Sequence, residues 1–239
     1  YYFGKHMLEK LRGLITASFA KVLFPVFSKL KKHQEKLSQV YIKISFYISF
    51  VSFPVLIGVA VTANLFVPII FGEQWTDSVI VFQVYSISSL LLILTASVST
   101  SLLYSVNKPD LVFYIDVVTN IIYFLSLLIF ASQGLVAVLI VYSSYIVYKT
   151  LILQYFTNKQ LTHSFIYYFY KLMPSAVMSL IMGGLVLILQ CITNNVLPVV
   201  WQLVTCVMFG LIIYSMLVLA FSRSTIRDLV LIMTKGVVK

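Results

Sequence analysis

The chain has 239 residues, of which 61% are hydrophobic and only 10% are charged, and its mean hydropathy is +1.01. Soluble domains carry about 25% charged residues, so this composition cannot supply the water-facing surface of a globular protein. The formal net charge of +10 could suggest a nucleic-acid partner, but the basic residues lie mostly between long apolar runs and not along one face, which argues against that class. Lipid must therefore be the solvent for most of the chain.

Long apolar runs make up most of the sequence between residues 13 and 222. A membrane-spanning helix needs about 20 consecutive, mostly apolar residues. Six runs meet this requirement, and a seventh near the start is shorter and contains Lys21. We therefore predict an all-α fold, a polytopic transmembrane helical bundle of about seven spans. The predicted spans are approximately 10–28, 44–70, 78–106, 111–132, 135–157, 172–193 and 196–221.

Lys and Arg are distributed unequally among the connections between these spans. Four connections hold twelve of them, and the three turns that alternate with these connections hold none. Because loops rich in Lys and Arg stay on the cytoplasmic side, we predict a cytoplasmic C-terminus, with the basic head at Lys5, Lys10 and Arg12 outside. The four basic segments are 29–43, 107–110, 158–171 and the residues after 222, and the three turns are 72–77, 133–134 and 194–196.

The segment 222–239 is predicted to be a cytoplasmic tail that lies on the inner leaflet. Its apolar residues recur at helical intervals, from Ile226 to Met233, and Arg223, Arg227 and Lys235 fall on the opposite face. This pattern is typical of an amphipathic helix at the membrane interface.

Charges inside the spans are the first candidates for function, because a charge at the bilayer centre costs at least about 2.5–3.5 kcal/mol. There are three, Lys21, Asp116 and Lys149, and Asn120 follows Asp116 by one helical turn to form a polar stripe. A lysine this far from the bilayer centre can extend its ammonium to the headgroups, so Lys149 is either an anchor or a lining residue. The stripe is expected to face a helix bundle or an aqueous cavity.

Two weaker signals accompany these charges. Hydroxyl and amide side chains in the third predicted span indicate close helix packing or a polar path. Pro54, Pro68, Pro174 and the pair Gly183-Gly184 could break helices as in transporters, or be tolerated in ordinary ones. The polar side chains of the third span are Gln83, Ser86, Ser89, Thr95, Ser97, Ser99, Thr100 and Ser101.

No arrangement of residues typical of catalysis is found. His6, His33 and His163 all lie in connecting segments, and Cys191 and Cys206 lie in apolar runs without metal or redox spacing. There is no glycine-rich phosphate loop. We therefore predict a protein that is not an enzyme and that needs no cofactor and no metal.

Five landmark segments give this chain a family resemblance. In order and spacing they resemble the C-terminal half of the polysaccharide transporters, which include lipopolysaccharide and O-antigen repeat-unit flippases of the MOP superfamily. One departure is Asn107, where such proteins usually have glycine, and a left-handed turn accepts either residue. The segments are VLFPVFSKL at 22–30, SFPVLIGVAV at 52–61, FGEQW at 71–75, LLYSVNKPDL at 102–111 and SQGLVAV at 132–138.

The resemblance implies a function for the whole protein. Residues 1–239 would be the C-terminal transmembrane lobe of a MATE-like two-lobed transporter, and an N-terminal half would precede Tyr1. Such proteins move an undecaprenyl-diphosphate-linked oligosaccharide across the bacterial cytoplasmic (inner) membrane for polysaccharide and lipopolysaccharide biosynthesis. In that scheme Lys21, Lys149 and Arg12 are the cations expected to attract the anionic headgroup, and Asp116 couples an ion or holds one of these cations.

Three other classes of function stay open at this point. A MATE-like drug or cation exporter of the same superfamily would need a carboxylate-rich cavity, whereas the spans hold two lysines and one aspartate. A membrane-embedded glycan polymerase or ligase would usually have a large outer loop with Arg or His, and the lysine-free turns here are short. The remaining alternative is a structural membrane subunit.

Overall fold

A computed structural model describes residues 9–10, 13, 23–194 and 196–221 of the chain. This part is almost wholly helical and contains no β-strand. Residues 23–30 form a helical segment, and seven longer or shorter α-helices follow it. They are α1 (Gln34–Phe71), α2 (Val79–Ile93), α3 (Thr100–Ser105), α4 (Pro109–Phe130), α5 (Leu135–Asn158), α6 (Phe165–Thr193) and α7 (Val199–Phe221).

Six helices in the described part are long and apolar enough to cross a membrane. They run over Gln34–Phe71, Glu73–Ile93, Pro109–Gln133, Leu135–Asn158, Phe165–Thr193 and Val199–Ala220. The predicted all-α, polytopic transmembrane bundle is therefore confirmed. Most of the span predicted at 10–28, and the tail predicted for 222–239, lie outside the described residues.

Two helices begin well before the apolar runs that they contain. The helix α1 begins at Gln34, although its predicted span begins at 44, and α6 begins at Phe165, ahead of the predicted 172. The Ser164 hydroxyl accepts a hydrogen bond from the Tyr167 amide at 3.2 Å and caps the start of α6. The length of an apolar run reflects only the part of a helix that lies in the hydrocarbon. The helix can therefore continue into the interface through residues such as Lys36 and Lys43.

The first turn of α1 is hydrogen-bonded to the connection between α5 and α6. The Gln34 side chain donates to the Gln160 carbonyl at 3.2 Å, and the Thr162 amide donates to the Ser38 hydroxyl at 2.8 Å. Two of the four lysine-bearing segments therefore lie at the same end of the bundle. The side of the membrane that this end faces stays a prediction from the charge bias.

Short turns join the antiparallel helices, and three of them contain a residue with a positive φ, one of which is Gly72 after α1 with φ 94°. Asn107, between α3 and α4, has φ 60°, which is the conformation predicted for this departure from the usual glycine. Gly134, between α4 and α5, has φ 101°. An L side chain would be strained at Gly134, because this region of φ is favoured only by glycine.

The helix α1 is central, because it packs against α2, α6 and α7. Both helices carry buried small residues, namely Ser45, Ser49 and Ser52 on α1 and Ser175, Ser179 and Gly183 on α6. At Gly183 an added Cβ would lie 2.7 Å from Ile57 Cγ2 of α1, so the two helices pack closely at this point.

Proline and glycine do not break the helices in which they occur. The helix α1 continues through Pro54 and Pro68, and α6 continues through Pro174 and Gly183-Gly184. The irregular helix is instead the one built from α2 and α3, which are joined by a π-helical segment, Leu94–Ser99. This segment contains no proline, so of the two readings left open for the prolines and the glycine pair, the structure supports tolerance within ordinary helices.

Candidate functional site

Two of the three intramembrane charges form an ion pair between α4 and α5. The Lys149 ammonium lies 2.9 Å from Asp116 Oδ1. Asp116 follows the start of α4 by seven residues, and Lys149 precedes the end of α5 by nine, so both lie about 10–14 Å along the helices from the lysine-bearing end. The Lys149 side chain is 17% exposed and that of Asp116 is 45% exposed, so the pair is open on the carboxylate side.

Hydrogen bonds extend the pair into a closed polar cluster. The Lys149 ammonium donates to the Tyr145 hydroxyl at 3.1 Å, and this hydroxyl donates to Asn120 Oδ1 at 3.3 Å. The Asn120 amide donates back to the Asp116 backbone carbonyl at 2.7 Å. We call Asp116, Asn120, Tyr145 and Lys149 the charged centre. Because α4 and α5 supply two of these residues each, the antiparallel pairing of the two helices builds it.

Tyrosine rings form the wall behind the charged centre. Tyr123 of α4 stacks on Tyr145 with the ring centroids 4.5 Å apart, and the Lys149 ammonium lies 5.5 Å from the Tyr145 centroid. The Tyr148 hydroxyl donates to the Thr119 carbonyl at 2.8 Å and ties the two helices together. Aromatic faces attract cations and exclude water from one side, which strengthens the electrostatic interactions on the other.

The exposed face of α4 that carries the charged centre includes charged and amide groups, whereas the exposed face of α7 is mostly apolar. The helix α7 exposes large hydrophobic side chains such as Trp201 and Leu211, and its exposed Thr205 and Ser215 donate to carbonyls of their own helix. The helix α4 exposes the carboxylate of Asp116 and the amide of Asn120 at the same depth as apolar neighbours. Charged groups are costly against hydrocarbon, so this strip suits an aqueous cavity or a protein partner.

The structure brings together three of the five residues predicted for the substrate path, namely Lys149, Asp116 and Asn120. Lys21 and Arg12 lie outside the described residues. Sequence reasoning missed the tyrosines, which it treated as ordinary apolar residues. Tyr145 precedes Lys149 by four residues and therefore shares its helix face, a spacing that could have identified it.

One hydroxyl of the stripe in the third span, that of Ser99, belongs to a separate and mostly buried network. The Tyr41 hydroxyl lies 2.8 Å from both Ser99 Oγ and Gln154 Oε1, and Ser99 donates to the same Gln154 oxygen at 3.1 Å. The Gln154 amide donates to Asn158 Oδ1 at 2.6 Å. Ser99 ends the π-helical segment, so this network joins that segment to α1 and α5. For Ser99 the geometry favours helix packing over a polar path.

Groups that could support other chemistry are not assembled in the described part. No three or more His, Cys, Asp and Glu side chains lie together there as a metal site would require. Glu73 and Asp77 are exposed in the 3₁₀ turn Glu73–Ser78 between α1 and α2.

Residues 1–80 match the profile of a family described as polysaccharide biosynthesis protein. The chain is 38% identical over 82 residues to the lipopolysaccharide biosynthesis protein WzxC of Escherichia coli, a match over 34% of this chain and 16% of that protein. It is 30% identical over 125 residues to the teichuronic acid biosynthesis protein TuaB of Bacillus subtilis, covering 52% and 25% of the two chains.

A further relative comes from Klebsiella pneumoniae. An uncharacterized membrane protein in its cps region is 32% identical over 124 residues, covering 52% of this chain and 24% of that protein. No solved structure matches the chain. The matched segments span 16–25% of the length of these curated relatives. These comparisons confirm the resemblance predicted from the sequence. The six apolar helices support a multi-pass membrane protein.

Proposed function

We propose that this chain, which is similar to membrane proteins of polysaccharide biosynthesis, is one lobe of a flippase for lipid-linked oligosaccharide repeat units. The support is the match to the polysaccharide biosynthesis profile, together with relatives named for lipopolysaccharide and teichuronic acid biosynthesis. The cargo is the repeat unit on undecaprenyl diphosphate, and the other lobe is the N-terminal half of the same protein. The membrane is the bacterial cytoplasmic membrane, with the C-terminus on the cytoplasmic side.

The observation that carries this proposal is the charged centre on an exposed face of spanning helices. A lipid-linked glycan has an anionic diphosphate that must leave water while its polyprenyl chain stays in the bilayer. Lys149 supplies a cation inside the span, and Asp116 compensates its charge while no cargo is bound. An arriving diphosphate competes with Asp116 for the Lys149 ammonium, and the low dielectric of the site strengthens this attraction. Lys21 and Arg12 are proposed to add positive charge to the same path.

Release on the other side requires that the site change its exposure. Two-lobed transporters do this by rocking one lobe against the other around a fixed site. Re-formation of the Lys149–Asp116 pair then offsets the loss of the diphosphate from the ammonium. Asp116 is thus proposed to hold the cation and to be its resting counter-ion.

A drug or cation exporter is the nearest alternative, and the balance of intramembrane charges disfavours it. A cationic cargo needs a cavity with an excess of carboxylates. Asp116 is the single carboxylate inside the described spanning segments away from their ends. The predicted spans hold two lysines, Lys21 and Lys149, against this one aspartate, and that excess of positive charge favours an anionic cargo.

Deletion of the gene in its native bacterium tests the proposal. We expect surface or secreted polysaccharide to be lost and lipid-linked repeat units to accumulate in the cytoplasmic leaflet, as measured by mass spectrometry of extracted lipids. The wild-type gene supplied on a plasmid should reverse both effects. Unchanged polysaccharide without accumulation of the intermediate would refute the flippase, and loss of polysaccharide without any lipid-linked repeat unit would indicate an enzyme of assembly.

A further inference from the structure

A cleft of about 360 Å³ lies between α4 and α5, next to the charged centre. Its volume falls in the range of about 300–1,000 Å³ that is typical of small-molecule sites. It is lined by aromatic, aliphatic, small and polar side chains from both helices and from the turn that joins them. Among them are Tyr123, Phe130, Gln133, Ala137, Ser144 and Tyr148.

The cleft and the charged centre share a wall. Tyr123 lines the cleft and stacks on Tyr145, whose hydroxyl accepts a hydrogen bond from Lys149. Tyr148 lines the cleft and precedes Lys149 in the chain. From this point the cleft extends along the helices to Gln133, at the end of the bundle that carries no lysine in its turns. A ligand whose anionic group lies at Lys149 would therefore place its next portion in the cleft.

Two polar side chains of the cleft lack hydrogen-bonding partners among the described residues, Gln133 and Ser144. Ser144 follows the start of α5 by nine residues, about 14 Å along the helix and near the middle of a bilayer about 30 Å thick. Ser144 is exposed, and its hydroxyl does not donate to its own helix as that of Ser126 does to the Ile122 carbonyl. An unpaired hydroxyl at this depth is costly in hydrocarbon, so the cleft is suited to a ligand with hydroxyl groups of its own.

A sugar ring has the surface that this lining complements. A pyranose presents C–H groups on its faces and hydroxyl groups around its rim. Tyr123, Phe130 and Tyr148 offer aromatic surface to the C–H faces, while Gln133 and Ser144 offer an amide and a hydroxyl to the rim. A lipid chain would fill the same volume but would leave both polar groups unpaired. We propose that the α4–α5 cleft binds a sugar residue of the glycan, adjoining the diphosphate at Lys149.

This inference rests on the proposed function and names a subsite within it. The test uses the full-length protein, purified, and two probes: undecaprenyl diphosphate, and the lipid-linked repeat unit extracted from the deletion strain. The first probe has the diphosphate and the lipid without sugar. Ala137→Phe fills the cleft, and Val136→Phe is the matched control, because Val136 is 57% exposed and does not line the cleft.

We expect Ala137→Phe to weaken binding of the repeat unit about tenfold or more and to change the affinity for undecaprenyl diphosphate by less than about twofold. Val136→Phe should leave both affinities unchanged. If Ala137→Phe fails to fold, the double variant Gln133→Ala/Ser144→Val replaces it in the binding experiment. This variant removes both polar groups of the cleft and changes the side-chain shape little at Ser144. The same selective loss is expected.

Equal weakening of both probes by the cleft variants would overturn the inference, because the cleft would then hold the lipid or the diphosphate. Unchanged binding of both probes would overturn it too. Failure of the proposed function gives a different result: the deletion strain yields no lipid-linked repeat unit, or the wild-type protein binds neither probe.

Discussion

At the scale of single residues, the partners of Lys149 predict how the stability of the protein responds when this charge is removed. Its ammonium is held by the Asp116 carboxylate and the Tyr145 hydroxyl. Removing one partner of a partly buried pair leaves the other charge without compensation, whereas removing both charges together is often tolerated. The contribution of the pair to protein stability can therefore be measured separately from its role in transport, by comparing single variants with the double variant.

We expect Lys149→Gln and Asp116→Asn each to lower the melting temperature of the full-length protein in detergent by about 2–4 °C. The double variant Lys149→Gln/Asp116→Asn should recover most of this loss, because no unpaired charge remains. Complementation of the deletion strain should nevertheless stay lost in both variants that lack Lys149.

Lys159→Gln is the control, because Lys159 follows α5 in an exposed connection and stacks on Tyr155 outside the charged centre. It should retain complementation. Recovery of transport together with stability in the double variant would mean that the pair serves packing alone, and Lys149 would be withdrawn from the substrate path.

At the scale of elements, close packing of α1 against α6 depends on one glycine of a pair. Gly183 is buried against Ile57, whereas an added Cβ at Gly184 meets nothing within 4 Å. We expect Gly183→Leu to destabilise the protein by about 1–3 kcal/mol through overpacking. Gly184→Leu should be neutral or slightly stabilising, because leucine has the higher helix propensity. Thermal unfolding in detergent measures the stability of both variants, and equal effects would contradict close α1–α6 packing at Gly183.

The buried network at the π-helical segment gives a second prediction for the elements. Gln154→Leu leaves Tyr41 and Ser99 without their shared acceptor, so we expect a loss of about 1–3 kcal/mol. Tyr41→Phe should cost less, because Ser99 still donates to Gln154. Thermal unfolding of the two variants checks this order, and a larger effect of Tyr41→Phe would show that the Gln154 carbonyl is not the centre of the network.

At the scale of the whole molecule, the proposed orientation can be tested at two exposed positions on opposite ends of the bundle. In a background in which every native cysteine of the full-length protein is replaced, Cys191→Ser and Cys206→Ala included, we place a single cysteine by Gln74→Cys or by Lys108→Cys. Because the lysine-bearing end is predicted to face the cytoplasm, a membrane-impermeant maleimide should label Gln74→Cys in intact cells. It should label Lys108→Cys only after permeabilisation. The reverse pattern would place the C-terminus outside.

Hydropathy and charge determined the class of this protein, because lipid admits so few residue types and so few backbone structures. The apolar runs located the six spanning helices, and the depth of Asp116 and Lys149 in their spans singled them out. Sequence could not give the true starts of α1 and α6, since helices continue past the hydrocarbon. It also could not decide whether the prolines break their helices, which continue through them, and it did not indicate the irregular segment at Leu94–Ser99.

By itself the sequence thus determined a polytopic helical membrane protein, its family resemblance and three of the residues that form the charged centre. Only the tertiary structure decided that Asp116 and Lys149 are partners, that tyrosine rings form a wall on one side of them, and that a cleft with unpaired polar groups adjoins this wall. Hydropathy is a property of each segment alone and can be read along the chain. Pairing depends on the rotation and depth at which α4 meets α5, and packing between helices sets both.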